Sequence, residues 1–283
     1  MTIIDGKAVS AHLRTGLKEQ VARFVAMHGY APGLAVVLVG EDPASAVYVR
    51  NKSRACEEVG IYSEVYRLPQ ETKEEDLLSL IAKLNQEKNI HGILVQLPLP
   101  KHISEERVVL AIDPHKDVDA FHPANVGKIM LGKYQFLPCT PAGVMALLKH
   151  YEVDIAGKHC VVIGRSNIVG KPQALLLLEK NGTVTVCHSK TKNLADITRQ
   201  ADILVAAVGK PRFVTADMVK DDAVVIDVGI NRTSDGKLCG DVDFDAVAPK
   251  VAAITPVPGG VGPMTITMLL QNALKAAEIQ LES

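Results

Sequence analysis

Tyr48 and Lys52 stand four residues apart, a spacing that puts a phenol and an ammonium on one face of a helix. Two chemistries fit the pair. Either the lysine snorkels beside a half-buried tyrosine, or it gives and takes protons while the ring stacks on a flat substrate. Gln96 closes an apolar run and is followed by Leu97-Pro98-Leu99-Pro100, a sequence too stiff to continue a sheet. An amide there satisfies the backbone of the turn, or it faces the carboxyl ends of parallel strands, where α/β proteins bind ligands. Asp117 and Asp119 lie in a proline-rich stretch. They cap turns or form a solvated face, or an aspartate there recognises an amino-heterocycle through paired N–H···O bonds.

A second constellation begins at His159. The run His159-Cys160-Val161-Val162-Ile163 ends in Gly164-Arg165-Ser166-Asn167-Ile168-Val169-Gly170, an apolar strand passing through a glycine turn into a helix. Such a turn brings backbone N–H groups up to a dinucleotide's phosphates, although it also describes an ordinary strand-turn-helix connection. Ser166 occupies the place of the second glycine in G-x-G-x-x-G, and the last glycine comes one residue late. Just over twenty residues after Gly164, where an NAD site tends to place an acid, stands Cys187-His188-Ser189-Lys190. Arg165 and Ser189, with His188 or Lys190, would suit a ribose 2′-phosphate, which favours NADP; a surface arginine and a serine turn are the alternative. Short-chain dehydrogenases also use Y-x-x-x-K, but downstream of the nucleotide loop, whereas Tyr48 precedes Gly164 by over a hundred residues. Thr255-Pro-Val-Pro-Gly259-Gly260-Val-Gly-Pro-Met-Thr265 is a tight glycine turn with proline opening a helix, or a backbone surface open to a flat cofactor ring. Asp241-Val-Asp243-Phe-Asp245 starts like a calcium loop, but Ala246 and Ala252 replace the required glycine and glutamate.

The elements that must hold these residues read as α/β. Apolar positions at Val9, Leu13, Leu17, Val21 and Phe24 give a helix ending near Gly29. Leu34–Val39 is unbroken and apolar, as suits a strand buried on both faces. Asp42-Pro43 opens the helix of Tyr48 and Lys52, and Gly60 stops it. A strand over 62–68, a helix over 73–88 capped at Thr72, and a strand over 92–97 follow. Residues 98–141, with six prolines, read as loops around a short helix. Thr140-Pro141 caps a linking helix to Tyr151. Strands near 159–163, 183–187, 202–206, 223–228 and 251–254 then alternate with helices over 170–180 and 193–199 and with shorter turns, before a last helix over 264–281.

Composition excludes other classes. With 31 Lys+Arg against 32 Asp+Glu there is no excess to meet a nucleic-acid backbone. No apolar run approaches a membrane span, and the N-terminus shows no basic segment followed by a long apolar one, so a cytoplasmic protein is expected. The 5 cysteines form no C-x-x-C pair and the 9 histidines no tight cluster, so neither disulfides nor a metal are expected.

Tyr48-x-x-x-Lys52, Gln96-Leu-Pro-Leu-Pro100, Lys116-Asp-Val-Asp119, Pro138-Cys-Thr-Pro141, Gly164-Arg-Ser-x-Ile-Val-Gly-x-Pro172, Gly240-Asp-Val-Asp243 and Pro258-Gly-Gly-Val-Gly-Pro-Met-Thr265 together span nearly the whole chain. In this order they closely resemble the bifunctional methylenetetrahydrofolate dehydrogenase/methenyltetrahydrofolate cyclohydrolase (FolD) family. The resemblance implies a substrate domain of 1–139 plus the helix 264–283, a Rossmann-like NADP domain of 140–263, and an active-site cleft between them. It implies NADP-dependent oxidation of 5,10-methylenetetrahydrofolate, then hydrolysis to 10-formyltetrahydrofolate, by a cytosolic homodimer. Lys52 matches the proton-handling lysine, Gln96 the amide that positions it, Tyr48 the stacking ring and Asp119 the pterin anchor. Gly164, Arg165, Ser166, Ile168, Ser189 and Ile230 match the cofactor side, and Gly259 and Gly260 the substrate side. Ala120 stands where the family commonly has glycine. The rival readings are a dehydrogenase-only enzyme and a non-catalytic folate or nucleotide sensor.

Overall fold

The computed structural model describes residues 1–233 and 235–281. The chain begins β1 (Thr2–Ile3), α1 (Gly6–His28), β2 (Gly33–Val39), α2 (Pro43–Val59), β3 (Tyr62–Leu68), α3 (Glu74–Gln86), β4 (Gly92–Val95), α4 (Glu105–Ala111), α5 (Pro123–Met130) and α6 (Cys139–His150). It continues β5 (His159–Ile163), α7 (Gly170–Glu179), β6 (Thr183–Cys187), α8 (Leu194–Thr198), β7 (Ile203–Ala206), β8 (Val224–Asp227), β9 (Asn231–Arg232), β10 (Leu238–Cys239), α9 (Phe244–Val247), β11 (Ala253–Ile254) and α10 (Val261–Leu281). These elements form two compact units, one of Met1–Ala11 with Pro138–Thr265, the other of His12–Leu137 with α10 from Ile266 onward.

The unit containing His12–Leu137 is built on a three-stranded parallel sheet in the order β3-β2-β4. All seven positions of β2 are buried, as its unbroken apolar run demands of a central strand. Ala35, Val37, Ile81, Leu84 and Ile93 share one core, each larger side chain contributing roughly 1.5–3 kcal/mol by leaving water. The ends of α2 form from local chemistry. Asp42 accepts from the Ser45 N–H at 2.7 Å and Pro43 lies in the first turn, while the Gly60 N–H donates to the Cys56 carbonyl at 3.0 Å in a left-handed cap.

Three local expectations change. Lys73, not Thr72, is the N-cap of α3, and it makes no side-chain cap bond. The first turn instead carries Glu74, Glu75 and Asp76, which suit the positive end of the helix dipole. The stretch 98–141 holds two short helices rather than one, because Ser104 caps α4 and the His122 ring accepts from the Ala124 N–H ahead of Pro123 in α5. Finally, α6 starts at Cys139 with Pro138 as its cap. Thr140 lies inside that helix, its hydroxyl 3.0 Å from the Thr265 hydroxyl in a side-chain hydrogen bond.

The other unit carries a six-stranded parallel sheet in the order β1-β11-β8-β7-β5-β6. Counted from β5, this is a doubly wound 2-1-3-4-5 arrangement with β1 added at the edge. Residues 1–11 fall here rather than with 12–137, because the two-residue β1 pairs in parallel with β11 through Thr2↔Ala253 and Ile3↔Ile254. Val161, Ile163, Leu204, Val225 and Ile254 share its core. A short antiparallel pair, β9 with β10, follows β8 and has no clear signal in the sequence pattern.

Candidate functional site

In the unit built on β3-β2-β4, the central strand feeds α2 and its neighbour β4 ends beside it, so this pair of strand ends is the sheet's topological switch point. Lys52 reaches it from the third turn of α2, 9% exposed, and its Nζ donates to Gln96 Oε1 at 3.0 Å. Gln96 is itself held twice. Its backbone N–H continues the ladder to the Val37 carbonyl at 2.8 Å, and its Nε2 donates to the Leu97 carbonyl at 2.7 Å. That second bond turns the amide oxygen toward the lysine, so Gln96 supports the turn and at the same time holds the Lys52 ammonium. Tyr48 lies half-buried one turn earlier on α2.

Lys116–Asp119 divides its labour. Lys116 is buried, and its ammonium donates to the Leu84 and Glu87 carbonyls at 3.0 and 2.8 Å, closing the C-terminal end of α3. Burial draws its pKa below the usual lysine value, with the Asp113 and Glu87 charges opposing. Asp117 is the turn-former: its carboxylate accepts from the His122 N–H and from Asn125 Nδ2, each at 2.8 Å. Burial raises its pKa, against the pull of those hydrogen bonds. The Lys116 carbonyl accepts from Ile93 N–H at 2.7 Å, and the Val118 carbonyl from Asn272 Nδ2 at 2.8 Å. Asp119 is therefore displayed, half-buried, between two fully buried neighbours, Val118 and Ala120. Ala120 takes a left-handed φ of 57°, a conformation that costs an alanine about 1 kcal/mol more than a glycine.

In the unit built on β1-β11-β8-β7-β5-β6, the switch point lies between β5 and β7. Gly164 follows β5 with φ 131°, and a Cβ there would stand 2.2 Å from the Ala207 carbonyl oxygen just past β7. Only a glycine lets these strand ends close. Beyond it, Arg165, Ser166 and Ile168 are exposed. The Ser166 hydroxyl accepts from the Val169 and Gly170 N–H groups, each at 3.2 Å, and so caps α7 itself. The serine in place of a second glycine thus serves the first turn of the helix. Because β5 and β6 pair as Ile163↔Cys187, Arg165 and Ser189 each lie two residues beyond adjacent strand ends, and both are exposed. The His188 ring is committed to its own turn, accepting from the Lys190 N–H at 3.1 Å. The segment after β6, Cys187-His188-Ser189-Lys190, carries no acid to repel a 2′-phosphate, so a glycine cradle and an exposed cation suit the dinucleotide with the extra phosphate.

Ile230, 45% exposed, follows β8. Its Cδ1 lies 3.4 Å from where a Cβ on Gly262 would be. Gly259 and Gly260 belong to this same unit. The Gly259 carbonyl accepts from Lys7 N–H at 2.9 Å, and the Gly260 carbonyl oxygen stands 1.8 Å from a Cβ built on Gly6. The predicted site residues therefore fall into two groups, Tyr48, Lys52, Gln96 and Asp119 on one unit and the remainder on the other.

Sequence reasoning passed over Asp227, at the end of β8. It is buried, and its carboxylate accepts from the N–H groups of Gly229, Asp241 and Val242 at 3.0, 2.9 and 2.9 Å. Burial pushes its pKa up to about 7; the backbone donors pull the other way, and the nearby Asp241 charge adds to the rise. The available signal was the pairing of aspartates with Gly229 and Gly240, since a Cβ on Gly240 would lie 1.8 Å from Asp227 Oδ2. Among the described residues, no group of three or more His, Cys, Asp or Glu is placed to hold a metal.

Comparison with known proteins matches both halves. Residues 4–119 match the catalytic domain, and 138–281 the NAD(P)-binding domain, of the tetrahydrofolate dehydrogenase/cyclohydrolase family. A protein of Moorella thermoacetica named bifunctional protein FolD is 62% identical over 97% of this chain and 98% of its own. The crystal structure of a FolD methylenetetrahydrofolate dehydrogenase/cyclohydrolase from Campylobacter jejuni is 53% identical, covers 99% of both chains and superposes with TM-score 0.96. The Trypanosoma brucei enzyme, solved with NADP and an inhibitor, is 40% identical, covers 100% of this chain and 99% of its own, and gives 0.97.

Proposed function

Because the chain belongs to the tetrahydrofolate dehydrogenase/cyclohydrolase family, we propose that it oxidises 5,10-methylenetetrahydrofolate with NADP and hydrolyses the product through the residues described above. It is a bifunctional enzyme of one-carbon metabolism with NADP as its cofactor. The observation that carries the residue assignment is the Lys52–Gln96 hydrogen bond at 3.0 Å. With its Nζ anchored on Gln96, Lys52 is held in a fixed position for proton exchange. It takes a proton from the water that adds to the methenyl carbon and returns one to the nitrogen that leaves, and the remaining hydroxyl proton passes to solvent as the carbonyl of 10-formyltetrahydrofolate forms. Tyr48 stacks on the flat pterin, and Asp119 accepts its paired N–H groups. Bound NADP supplies the hydride acceptor for the methylene carbon. Gly164 gives the cofactor's phosphates close access to backbone, Arg165 and Ser189 grip the 2′-phosphate, and Ser166, Ile168, Ile230, Gly259 and Gly260 line the remainder of the cofactor and substrate surface.

Two assays test this. The purified chain should oxidise methylenetetrahydrofolate with NADP, and should hydrolyse methenyltetrahydrofolate without nucleotide. Absence of the second activity would leave the dehydrogenase-only reading, and absence of both the sensor. Arg165→Ala should raise KM for NADP by about 10- to 100-fold and leave KM for NAD nearly unchanged, since an arginine–phosphate contact is a charge-assisted pair; equal changes would refute the phosphate assignment.

The enzyme acts as a homodimer in the cytoplasm on this reading. All five cysteines are free and buried, as suits a reducing compartment, and β3 lies at the edge of its sheet. Among the described residues no helix is long and apolar enough to cross a membrane. Light scattering coupled to gel filtration would test the dimer, and cell fractionation the compartment.

A further inference from the structure

Asp241 is fully buried and hydrogen-bonded in a way that no role so far described requires. Its Oδ2 accepts from the Val208 and Gly209 N–H groups at 2.6 and 2.9 Å, and its Oδ1 from the Lys210 N–H at 2.8 Å and Asn231 Nδ2 at 2.9 Å. Three consecutive backbone donors thus close around one carboxylate just beyond β7, immediately after Ala207, whose carbonyl abuts Gly164. The fourth donor belongs to the residue next to Ile230. Space is reserved for the arrangement, because a Cβ on Gly229 would lie 2.2 Å from Asp241 Oδ1. Asp241 N–H in turn donates to Asp227, whose own N–H donates to the Thr255 hydroxyl at 2.7 Å, at the root of the glycine turn.

Four segments therefore converge on two carboxylates: the loop after β7, the segment of Ile230, the Gly240–Val242 segment after β10 and the start of the Gly259–Gly260 turn. A carboxylate that accepts four N–H bonds out of water is charge-assisted at each of them. An isosteric amide could accept at one oxygen only, and its NH2 would oppose two inward-facing donors.

We propose that Asp241 is a positioning residue for the dinucleotide: without touching the cofactor, it fixes the loop after β7 against the Ile230 segment, so that the surface meeting the nicotinamide half is formed before binding. This rests on the NADP reading above. The pair is not a solvated acidic face, and it is not a calcium loop, since its oxygens are spent on backbone donors.

The test uses the full-length protein and NADP itself. In Asp241→Asn, the Kd for NADP by calorimetry and KM for NADP should rise by about tenfold to a hundredfold, the scale of a misplacement near 1 Å. Cyclohydrolase turnover measured without nucleotide should keep its kcat. Amide exchange in the unliganded protein should accelerate at Val208, Gly209 and Lys210, a readout independent of turnover. Should Asp241→Asn fail to fold, Asn231→Ala removes a single donor at the rim of the network and should show a smaller shift of the same kind. A folded Asp241→Asn, or failing that a folded Asn231→Ala, with Kd for NADP within twofold of the parent would overturn the proposal. Failure of the parent chain to bind NADP would overturn the cofactor reading, and the positioning role with it.

Discussion

The two units solve the same topological problem with opposite materials. In each, a first strand feeds a helix and a third strand ends alongside, leaving a crevice at the carboxyl ends. At β2 and β4 the gap is bridged by side chains, Lys52 to Gln96. At β5 and β7 it is closed by backbone alone, with no Cβ permitted between Gly164 and the Ala207 carbonyl. On the proposed roles, the difference follows from the task. Proton transfer needs a titratable atom on a movable stem with a fixed partner, whereas holding a large anion needs main-chain donors brought close by removing side chains. A switch point by itself therefore says where a ligand binds; the residue type placed there says whether anything happens to it.

The contrast can be broken most sharply at Lys52. Lys52→Met should lower cyclohydrolase turnover by about 10³-fold or more, the upper range of general acid–base catalysis, while NADP affinity measured by calorimetry stays within twofold. Loss of nucleotide binding in that variant would mean that side-chain and backbone crevices are not separate in function. The complementary change is Gly164→Ala. A methyl group pressed toward a carbonyl at a φ of 131° should cost about 1–3 kcal/mol, lowering Tm by about 5 °C and NADP affinity about tenfold. Hydrolysis of methenyltetrahydrofolate without nucleotide should persist.

A smaller effect sharpens the comparison by pH. Burial raises Asp227 from 3.8 to about 7, so the folded chain holds a proton that the unfolded chain releases. The stability this gives is complete below about pH 4 and is lost as pH rises through 7. Between about pH 5 and 8 the parent should lose about 2–3 kcal/mol from this group. Asp227→Asn, which removes the titrating group, should show a flatter Tm over the same interval. Parallel pH profiles for the two proteins would remove the assignment.

What the sequence reveals here divides along the same line as local against non-local interaction. Asp42, Pro43 and Gly60 delimit α2 correctly because the groups they satisfy lie within a few residues. The buried run of β2 declares a central strand for the same reason. Thr72 and Thr140 mislead, since a cap is decided by which of several neighbouring residues turns out of the helix, and the competing starts were Lys73 and Pro138. Lys52, Gln96, Tyr48 and Asp119 are legible as chemistry-bearing types in the order of a family motif, but the locking of the Gln96 amide by the Leu97 carbonyl is a matter of rotamer. Asp227 escapes notice, and Asp241 is legible only as part of a motif and of an incomplete calcium loop, because most of their partners lie 10 to 33 residues away and an aspartate carries no mark of the donors that fold around it.

Ser166 has one further consequence. Because its hydroxyl already accepts from the Val169 and Gly170 N–H groups, the turn proposed to receive the nucleotide has an internal surrogate for the anion. On that proposal the loop arrives folded at the encounter, and association would replace one acceptor by another instead of ordering a slack chain, at little cost in conformational entropy. On the same proposal departure is eased equally: the Val169 and Gly170 donors already have the Ser166 hydroxyl to return to, so cofactor exchange would leave them satisfied.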